Sequence, residues 1–439
     1  MDRREFNGLL AGAAASAVFV FPRLGLARQS QSTRVNGQRL NDHLARLGQF
    51  GKNPQGGVSR LAYSDADRAA RAQVMEWMGA AALDPSIDYA GNLIGRRAGQ
   101  NALLKPIMFG SHIDSVPEGG NYDGDVGSMA AIEVAQTLAE HGLATQHPVE
   151  VVIWSDEEGI LCGSRAVSGQ LPPHELQNIS LSGKTVADGI RSMGGDPTRL
   201  DEVKRARGDL AGYFELHIEQ GGILDAAKID IGIVEGIVGI GEWEVTITGF
   251  ANHAWTTPMN QRQDAMLTAA RFVDMVHRVV RSFTGAQVGN VGRIQVSPGA
   301  PNVIPGVVVC SLELRDLDLD RIKAMHTRIA DEAQKIGQVN GTTIAIRELT
   351  LDMPALSDLR MRGFVSDAAK ALGLSTRTMP SGAGHDAQAI ATLGPMGMIF
   401  VPSVGGISHS PKEFSRPEDI TNGANVLLGS VMTADRALE

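Results

Sequence analysis

Hydrophobic periodicity predicts that helices and buried strands alternate in the first half of the chain. Apolar residues recur at three- and four-residue spacing, as in amphipathic helices, over 39–50, 65–82 and 129–141. Short apolar runs bounded by Gly, Pro or Ser have the length of buried strands and stand at 106–110, 149–154 and 212–216. This alternation predicts an α/β fold with a mostly parallel sheet covered by helices on both faces.

The pattern changes after a glycine-punctuated stretch at 231–241. An alternating strand at 242–249 begins a unit whose helices are expected at 264–283 and 319–339. Its other strands are expected at 287–295, 307–315 and 342–351. The order β-α-β-β-α-β predicts a smaller α+β domain, similar to a ferredoxin-like module.

The α/β pattern resumes after this unit, so the small domain is expected to be inserted into the large one. A helix to 371 is followed by a strand at 376–379, a helix near 386 and a strand at 397–401. The predicted organisation is a signal peptide at 1–30, a catalytic domain at 31–238 and 353–439, and the inserted domain at 239–352. Two domains also suit a length of 439 residues.

The N-terminus carries the pattern of an export signal. Arg3 and Arg4 precede a short apolar run from 9 to 21, and small residues follow near 25–27. The paired arginines resemble a twin-arginine signal, which exports folded proteins. A frayed amphipathic N-terminus is the alternative. We therefore expect a periplasmic or otherwise exported protein, without a membrane span once the signal is removed.

Charge and cysteine content narrow the choice of partners. The net charge is −9, and the body of the chain has no Lys/Arg cluster, which argues against a nucleic-acid partner. Cys162 and Cys310 are the only cysteines and lie far apart in sequence. Because two cysteines do not make a disulfide framework, we expect both to be free and buried. The histidines outside the motifs below are expected at the surface: His43, His141, His147, His174, His277 and His326.

Metal-ligand residue types follow four of the predicted strands. These four groups are His112 with Asp114 and Asp123, Asp156 with Glu157 and Glu158, His217 with Glu219, and Ser408 with His409. In an open α/β sheet the ligand crevice lies beyond the carboxyl ends of the strands, so all four groups should meet there. One histidine or one acidic run is commonly structural or solvated, but the four together predict a metal site.

The donor types indicate the chemistry of this site. Imidazole and carboxylate groups suit zinc, with manganese, cobalt or nickel as alternatives. Two divalent cations can share one carboxylate and one water, and a carboxylate that is not a ligand can move protons. The sequence therefore predicts a binuclear metal-dependent hydrolase.

These motifs resemble the M20 metallohydrolases. The likeness is with the branch that contains N-carbamoyl-L-amino acid hydrolases, β-ureidopropionases and allantoate amidohydrolases, and it runs in order from about residue 40 to the C-terminus. The motifs that carry it are His112-Ile113-Asp114, Asp123-Gly124, Glu157-Glu158-Gly159, 215–221, 301–306, 381–386 and Ser408-His409.

The resemblance implies a role for each matched residue. Asp123 would bridge two metals, with His112 and His217 at one position and Glu158 and His409 at the other. Glu157 would be the general base and later the acid, and Asp114 would orient the His112 imidazole.

The resemblance also implies a set of substrate residues. Arg315 and Asn302 would bind the substrate carboxylate, and His253 would stabilise the oxyanion. Gln220, Gly382, Ala383 and Gly384 would line the pocket. His385 would either contact the substrate or, together with Asp386, hold its loop in place. The resemblance also implies a homodimer, in which the inserted domain at 239–352 serves as a lid and dimerisation domain and some of its residues reach into the partner's site.

Two departures from the family pattern concern the substrate. Leu161 and Cys162 replace a common arginine and phenylalanine, and Trp255 replaces a usual glycine after His253-Ala254. The expected reaction is hydrolysis of an N-carbamoyl (ureido) group, or of a related amide, on a small carboxylic acid. The alternatives are an aminoacylase or small dipeptidase, since the same metals cleave ordinary amides, and a non-catalytic periplasmic solute-binding protein. The imidazole of His217, where peptidases have a carboxylate, favours the first, and an intact Glu157 argues against the last.

Overall fold

The computed structural model of the protein describes residues 33–438, so the expected signal at 1–30 lies outside the described residues. The strands are β1 Asp84–Ile87, β2 Leu93–Arg97, β3 Ile107–His112, β4 Val149–Trp154, β5 Gly212–Ile218, β6 Ile231–Ile237, β7 Gly239–Thr248, β8 Asn252–His253, β9 Val288–Asn290, β10 Ile294–Ser297, β11 Val303–Ile304, β12 Val307–Asp316, β13 Thr343–Asp352, β14 Ala355–Leu356, β15 Thr376–Ser381 and β16 Met396–Val401.

Twelve α-helices lie between or beside these strands in the described chain. They are α1 Gly37–Leu47, α2 Asp65–Ala80, α3 Asp125–Glu140, α4 Glu157–Ile160, α5 Cys162–Val167, α6 Val186–Ser192, α7 Ile223–Ala227, α8 Ala265–Arg281, α9 Leu319–Asn340, α10 Leu359–Ala371, α11 Asp386–Ile390 and α12 Pro417–Ala437. Within residues 33–438, none of them is long and apolar enough to span a membrane.

A nine-stranded sheet forms the larger part of the molecule. Its order is β1-β2-β4-β3-β5-β16-β6-β14, and β15 pairs with β6. The four central strands β4-β3-β5-β16 are parallel, whereas the β1–β2–β4 edge is antiparallel. The α/β prediction is confirmed, and the antiparallel edge follows from the short β1–β2 connection, which permits a hairpin but no crossover.

Both faces of this sheet are covered, which explains why its central strands are mostly apolar. Every residue of β3, β4, β5 and β16 is buried. Alternate residues enter different cores, since Ile107 and Phe109 belong to one cluster and Met108 to another. A strand buried on both faces cannot alternate between apolar and polar positions.

Residues 239–352 contain a second sheet with its own core. The order is β10-β12-β7-β13, β9 also pairs with β12, and all pairs are antiparallel. Burial alternates along β7 and β12, and α8 and α9 pack on the buried face around Trp243 and Phe272. The elements follow the β-α-β-β-α-β order, with the second strand divided into β9 and β10.

Some sequence expectations were wrong or incomplete. The glycine-punctuated stretch at 231–241 is largely strand, because β6 is part of the large sheet. The β1–β2 hairpin and α12 were not predicted. His147 is fully buried rather than at the surface, and both of its ring nitrogens face carbonyl oxygens, those of Lys105 and Leu438. The prediction that Cys162 and Cys310 are free and buried is confirmed.

Candidate active site

The carboxyl ends of the central parallel strands bring the predicted metal residues together. His112 is the last residue of β3, and His217 lies near the end of β5. Glu157 and Glu158 form the first turn of α4, which follows β4, and His409 comes after β16. Parallel neighbours end at the same edge of a sheet, so residues almost 300 positions apart meet there.

Asp123 lies at the centre of this group, between two sets of side chains. Its Oδ1 is 3.7 Å from Nε2 of His112 and 3.1 Å from Nε2 of His217. Its Oδ2 is 3.2 Å from Nε2 of His409, and that nitrogen is 3.6 Å from Oε2 of Glu158. Each set, counted with Asp123, offers three ligand atoms within 4.8 Å of one another. The two oxygens of one carboxylate therefore face two separate candidate metal positions.

The hydrogen bonds of the histidines leave the nitrogens that face Asp123 free for a metal. Nδ1 of His112 lies 3.0 Å from the carbonyl oxygen of Asp114, and Nδ1 of His217 lies 2.9 Å from that of Ile218. Nδ1 therefore carries the proton in the neutral form of each ring, and Nε2 can present its lone pair to a cation that takes the place of a second proton. Nε2 of His112 and Oε1 of Glu158 are buried without a hydrogen-bond partner. Buried polar atoms are rarely left unpaired, so these residues fit divalent cations.

Gly124 gives the imidazole of His112 the space it occupies. Its φ of 66° is in the left-handed region, and a Cβ at this position would collide with the His112 ring. The N–H of Gly124 lies 3.3 Å from Nε2 of His217. Glycine is therefore required both by the backbone conformation and by the close approach of the ligand.

Charge is crowded in this site. Burial and the neighbouring Asp386 and Glu158 carboxylates raise the pKa of Glu157 well above its usual value. Burial, followed by the charge of Asp123, raises the pKa of Glu158 to about 8. Burial opposes the charged form of His217, but Asp123 outweighs it and raises the pKa of the imidazole to about 9. Divalent cations would relieve the crowding of carboxylates, which is a second reason to expect them here.

Asp114 contacts both the His112 imidazole and the first turn of α4. Its main-chain carbonyl lies 3.0 Å and its Oδ1 lies 3.8 Å from Nδ1 of His112. Its Oδ1 also accepts the N–H of Glu157 at 3.3 Å, and its Oδ2 accepts the N–H of Glu158 at 3.2 Å. The short helix α4 lies between Asp156 and Leu161, both left-handed, so it needs such a cap.

Gln220 and His385 also lie at the centre of the site. Nε2 of Gln220 donates to Oδ2 of Asp123 at 2.7 Å. The His385 ring lies edge-on to that of His217, with 4.4 Å between ring centroids, and its Nε2 is 2.8 Å from the Ser381 hydroxyl. His385 therefore supports the ligand His217 by direct contact.

Two buried glutamates were not predicted as part of the site. Glu215 accepts hydrogen bonds from the Ser111 and Tyr213 hydroxyls and from the Ala387 N–H, so its carboxylate is fully paired. Glu413 accepts four donors from the loops that carry Asp123 and His409. Its position only four residues after His409 was the feature of the sequence that could have identified Glu413 as part of the site.

The remaining predicted substrate residues fall into two groups. Arg315 on β12 donates from a terminal guanidinium nitrogen to the carbonyl oxygen of Gly382 at 2.6 Å, in the loop that also holds Ala383 and Gly384. His253 and Asn302 lie at the short antiparallel strand pair β8–β11, where the Ala254 N–H donates to the Asn302 carbonyl.

The polar contacts described for His253 and Asn302 stay close to the β8–β11 pair and do not reach the candidate metal residues. Nδ1 of His253 accepts the N–H of Trp255, and 84% of the Trp255 residue is exposed. The structure therefore places Arg315 at the loop after β15, whereas the β8–β11 pair lies outside the group of candidate metal residues.

Comparisons with known proteins identify the family to which the chain is similar. Residues 108–433 match the model of the peptidase family M20/M25/M40. The chain is 41% identical over 402 residues to an N-carbamoyl-L-amino acid amidohydrolase of Geobacillus stearothermophilus, covering 90% of this chain and 98% of that one. It is 32% identical over 396 residues to the allantoate amidohydrolase of Escherichia coli K12, covering 89% and 96%.

A solved structure extends the likeness to the fold. An amidase of the hydantoinase/carbamoylase family from Burkholderia multivorans is 36% identical and has a TM-score of 0.86, with 93% of this chain and all of that one covered. The range matched to the family model, 108–433, spans the candidate metal residues from His112 to His409. The protein therefore belongs to the M20/M25/M40 peptidase family, and within it to the group similar to the hydantoinase/carbamoylase amidohydrolases.

Proposed function

We propose that the protein is a binuclear metal-dependent amidohydrolase that cleaves a carbon–nitrogen bond of an N-carbamoyl amino acid or a related small ureido or amide acid. The observation that carries the proposal is Asp123, whose two oxygens face the pairs His112 with His217 and Glu158 with His409. The relatives named N-carbamoyl-L-amino acid amidohydrolases support the reaction class.

Each group of ligands would hold one ion, with Asp123 shared between them. Imidazole and carboxylate donors suit zinc, with manganese, cobalt or nickel as alternatives. When bound, two such ions would supply an activated water and polarise the scissile carbonyl.

Glu157 is proposed as the group that moves the proton. Its Oε2 lies 3.6 Å from Nε2 of His112, at the edge of the metal cluster. A carboxylate whose proton affinity is raised by burial can take a proton from water and deliver it to the leaving nitrogen. His253 would stabilise the oxyanion. Its Nδ1 accepts the Trp255 N–H, so in the neutral ring Nε2 carries the proton and is the donor.

The substrate carboxylate is proposed to bind Arg315 and Asn302, beside Gln220 and the 382–384 loop. The β8–β11 pair, which holds His253 and Asn302, makes its polar contacts locally. This supports a homodimer in which the β8–β11 pair of one subunit completes the site of the other. The paired arginines and apolar run at the N-terminus support export to the periplasm.

Ammonia release by the metal-reconstituted mature protein tests this function. The panel contains N-carbamoyl-L-amino acids, allantoate and β-ureidopropionate, with N-acetyl amino acids and dipeptides followed by amine detection. We expect ammonia from a ureido acid, abolished by a chelator and by Glu157→Gln. Turnover of acyl or peptide substrates alone would instead support the aminoacylase or dipeptidase alternative. Binding of these acids without turnover would support a solute-binding protein.

A further inference from the structure

We propose that Glu413 is a positioning residue that joins the two loops bearing metal ligands and sets the affinity of the second metal position. That position is the one that Glu158 and His409 would share with Asp123. The inference rests on the proposed function, because it concerns the ions which that function requires. It assigns a role to a side chain that would touch neither metal nor substrate.

The carboxylate of Glu413 accepts two hydrogen bonds from each loop. Oε1 accepts the N–H of Tyr122 at 2.9 Å and that of Asp123 at 3.0 Å. Oε2 accepts the Ser408 hydroxyl at 2.9 Å and the N–H of His409 at 3.2 Å. Only 5% of Glu413 is exposed, so little water can replace these donors. The backbones of the bridging carboxylate and of His409 therefore cannot separate without leaving a buried charge unpaired.

His409 depends on this anchor more than the other ligands do. Its side chain is 48% exposed, whereas those of His112 and His217 are held by burial at 1%. Its φ of 52° is in the left-handed region, which a histidine adopts only at an energetic cost. Packing therefore holds the first metal position, and the hydrogen bond to Glu413 holds the backbone that presents the ligand of the second.

Ser408 connects the anchor to the bridging carboxylate. Its hydroxyl lies 3.0 Å from Oδ2 of Asp123 and 2.9 Å from Oε2 of Glu413, but it has only one proton to donate. If an ion takes up Oδ2 of Asp123, Glu413 remains as the acceptor for that proton. Glu413 thereby allows the Asp123 oxygen to be released to a metal without leaving the hydroxyl unpaired.

A substitution at Gly120 offers a second way to disturb the hydrogen bonds of Glu413. A Cβ at this position would collide with the Glu413 side chain, including Oε1. Its φ is not in the left-handed region, so alanine would act through this collision rather than through backbone strain. Gly120→Ala should therefore displace Glu413 without changing its charge.

The experiment measures metal binding by the full chain instead of turnover. Apoprotein is titrated with Co²⁺, which is followed by visible absorption, and bound ions are counted by elemental analysis. Glu413→Gln keeps the shape but has one acceptor oxygen, so its amide NH₂ must face the N–H groups of one loop. The matched control is Asp435→Asn, because Asp435 is also buried and accepts the N–H groups of Gln146 and His147, far from the ligands.

We expect Glu413→Gln and Gly120→Ala to keep one tight ion while the dissociation constant of the second rises roughly 10- to 100-fold. Asp435→Asn should lower the Tm of the apoprotein and bind both ions as the wild type does. Wild-type affinity for both ions in Glu413→Gln overturns the inference, as does a weakening in all three variants that simply follows their Tm. A wild-type chain that binds fewer than two ions overturns both this inference and the proposed function.

Discussion

Single residues in the site are selected as much by the space they leave as by the groups they carry. Gly124 has a left-handed backbone, and any Cβ on it would meet the imidazole of His112. Gly142 has a similar φ of 60°, but nothing lies within 4 Å of the position that its Cβ would take. Substitutions at these two glycines therefore distinguish the effect of backbone strain from the effect of displacing the His112 side chain.

Gly124→Ala is therefore expected to weaken metal binding, and Gly142→Ala is not. Both should lose about 1–2 kcal/mol of folding free energy through the left-handed backbone. Only the first should displace His112 and raise the metal dissociation constant, roughly tenfold or more. Metal titration and urea unfolding of the two variants measure these effects, and equal metal affinity in both would contradict the explanation.

Asp67 is a buried carboxyl whose charge the fold does not fully pair. Its Oδ2 accepts the Tyr63 N–H at 2.8 Å, and its Oδ1 is buried without a partner. Burial raises its pKa from 3.8 to about 6, against a smaller opposing effect of Arg71. The folded-state pKa is the higher one, so its contribution to stability is complete below about pH 4 and is lost as the pH rises through 6.

We expect Asp67→Asn to remove this pH dependence. Asparagine keeps an acceptor for the Tyr63 N–H but cannot ionise. The difference in unfolding free energy between variant and wild type should shift in favour of the variant by roughly 3 kcal/mol between pH 4 and pH 8. Urea unfolding of the metal-free proteins measures it, with Asp65→Asn, exposed on the same turn, as the control. A flat difference would show that folding does not raise the pKa of Asp67.

At the scale of elements, the four-residue helix α4 carries both Glu158, a proposed metal ligand, and Glu157, the proposed base. It has two left-handed residues beside it and no side-chain cap of its own from Asp156. The Asp114 carboxylate, at the end of the neighbouring strand, receives its first two N–H groups. The helix is therefore positioned from outside itself.

Asp114→Ala should disturb Glu157 and Glu158 together. We expect kcat to fall roughly 10- to 100-fold and the second ion to bind more weakly, because both side chains stand on the freed turn. Ser64→Ala, which removes the cap of α2, should cost about 1 kcal/mol of stability without changing turnover. Steady-state kinetics with metal titration would contradict the prediction if the two variants behaved alike.

For the whole molecule, Arg315 joins the smaller sheet to the loop after β15. Its Nε pairs with Glu313 at 2.7 Å while a terminal nitrogen donates to the Gly382 carbonyl. The planar guanidinium can make both contacts and still face a carboxylate, whereas a lysine ammonium cannot.

Arg315→Lys is expected to raise KM for a carboxylate substrate roughly tenfold or more, with a smaller effect on kcat. Arg347→Lys is the control, because Arg347 pairs with Glu244 on the surface of the same sheet and is remote from this loop. Equal KM values in the two variants would remove Arg315 from the substrate site.

Much of the large fold and of the metal site could be predicted from the sequence because the signals are local. The mostly apolar runs at 149–154 and 212–216 match β4 and β5 closely, since strands buried on both faces carry few polar positions. The candidate ligands could be predicted because each lies near the carboxyl end of such a strand or in the loop that follows it. The β6 strand was missed because its glycines break the β-propensity signal, and α12 because no catalytic motif marked it.

The sequence by itself determined the residue types at the strand ends, and with them the chemistry of the site. Only the tertiary structure decided how they are held. Asp123 faces two sets of candidate ligands, the Asp114 carboxylate accepts the first two N–H groups of α4, and Glu413 accepts the N–H of a residue 290 positions away. These are hydrogen bonds between distant segments, and they leave no period or spacing in the chain, because the sheet brings their partners together only after folding.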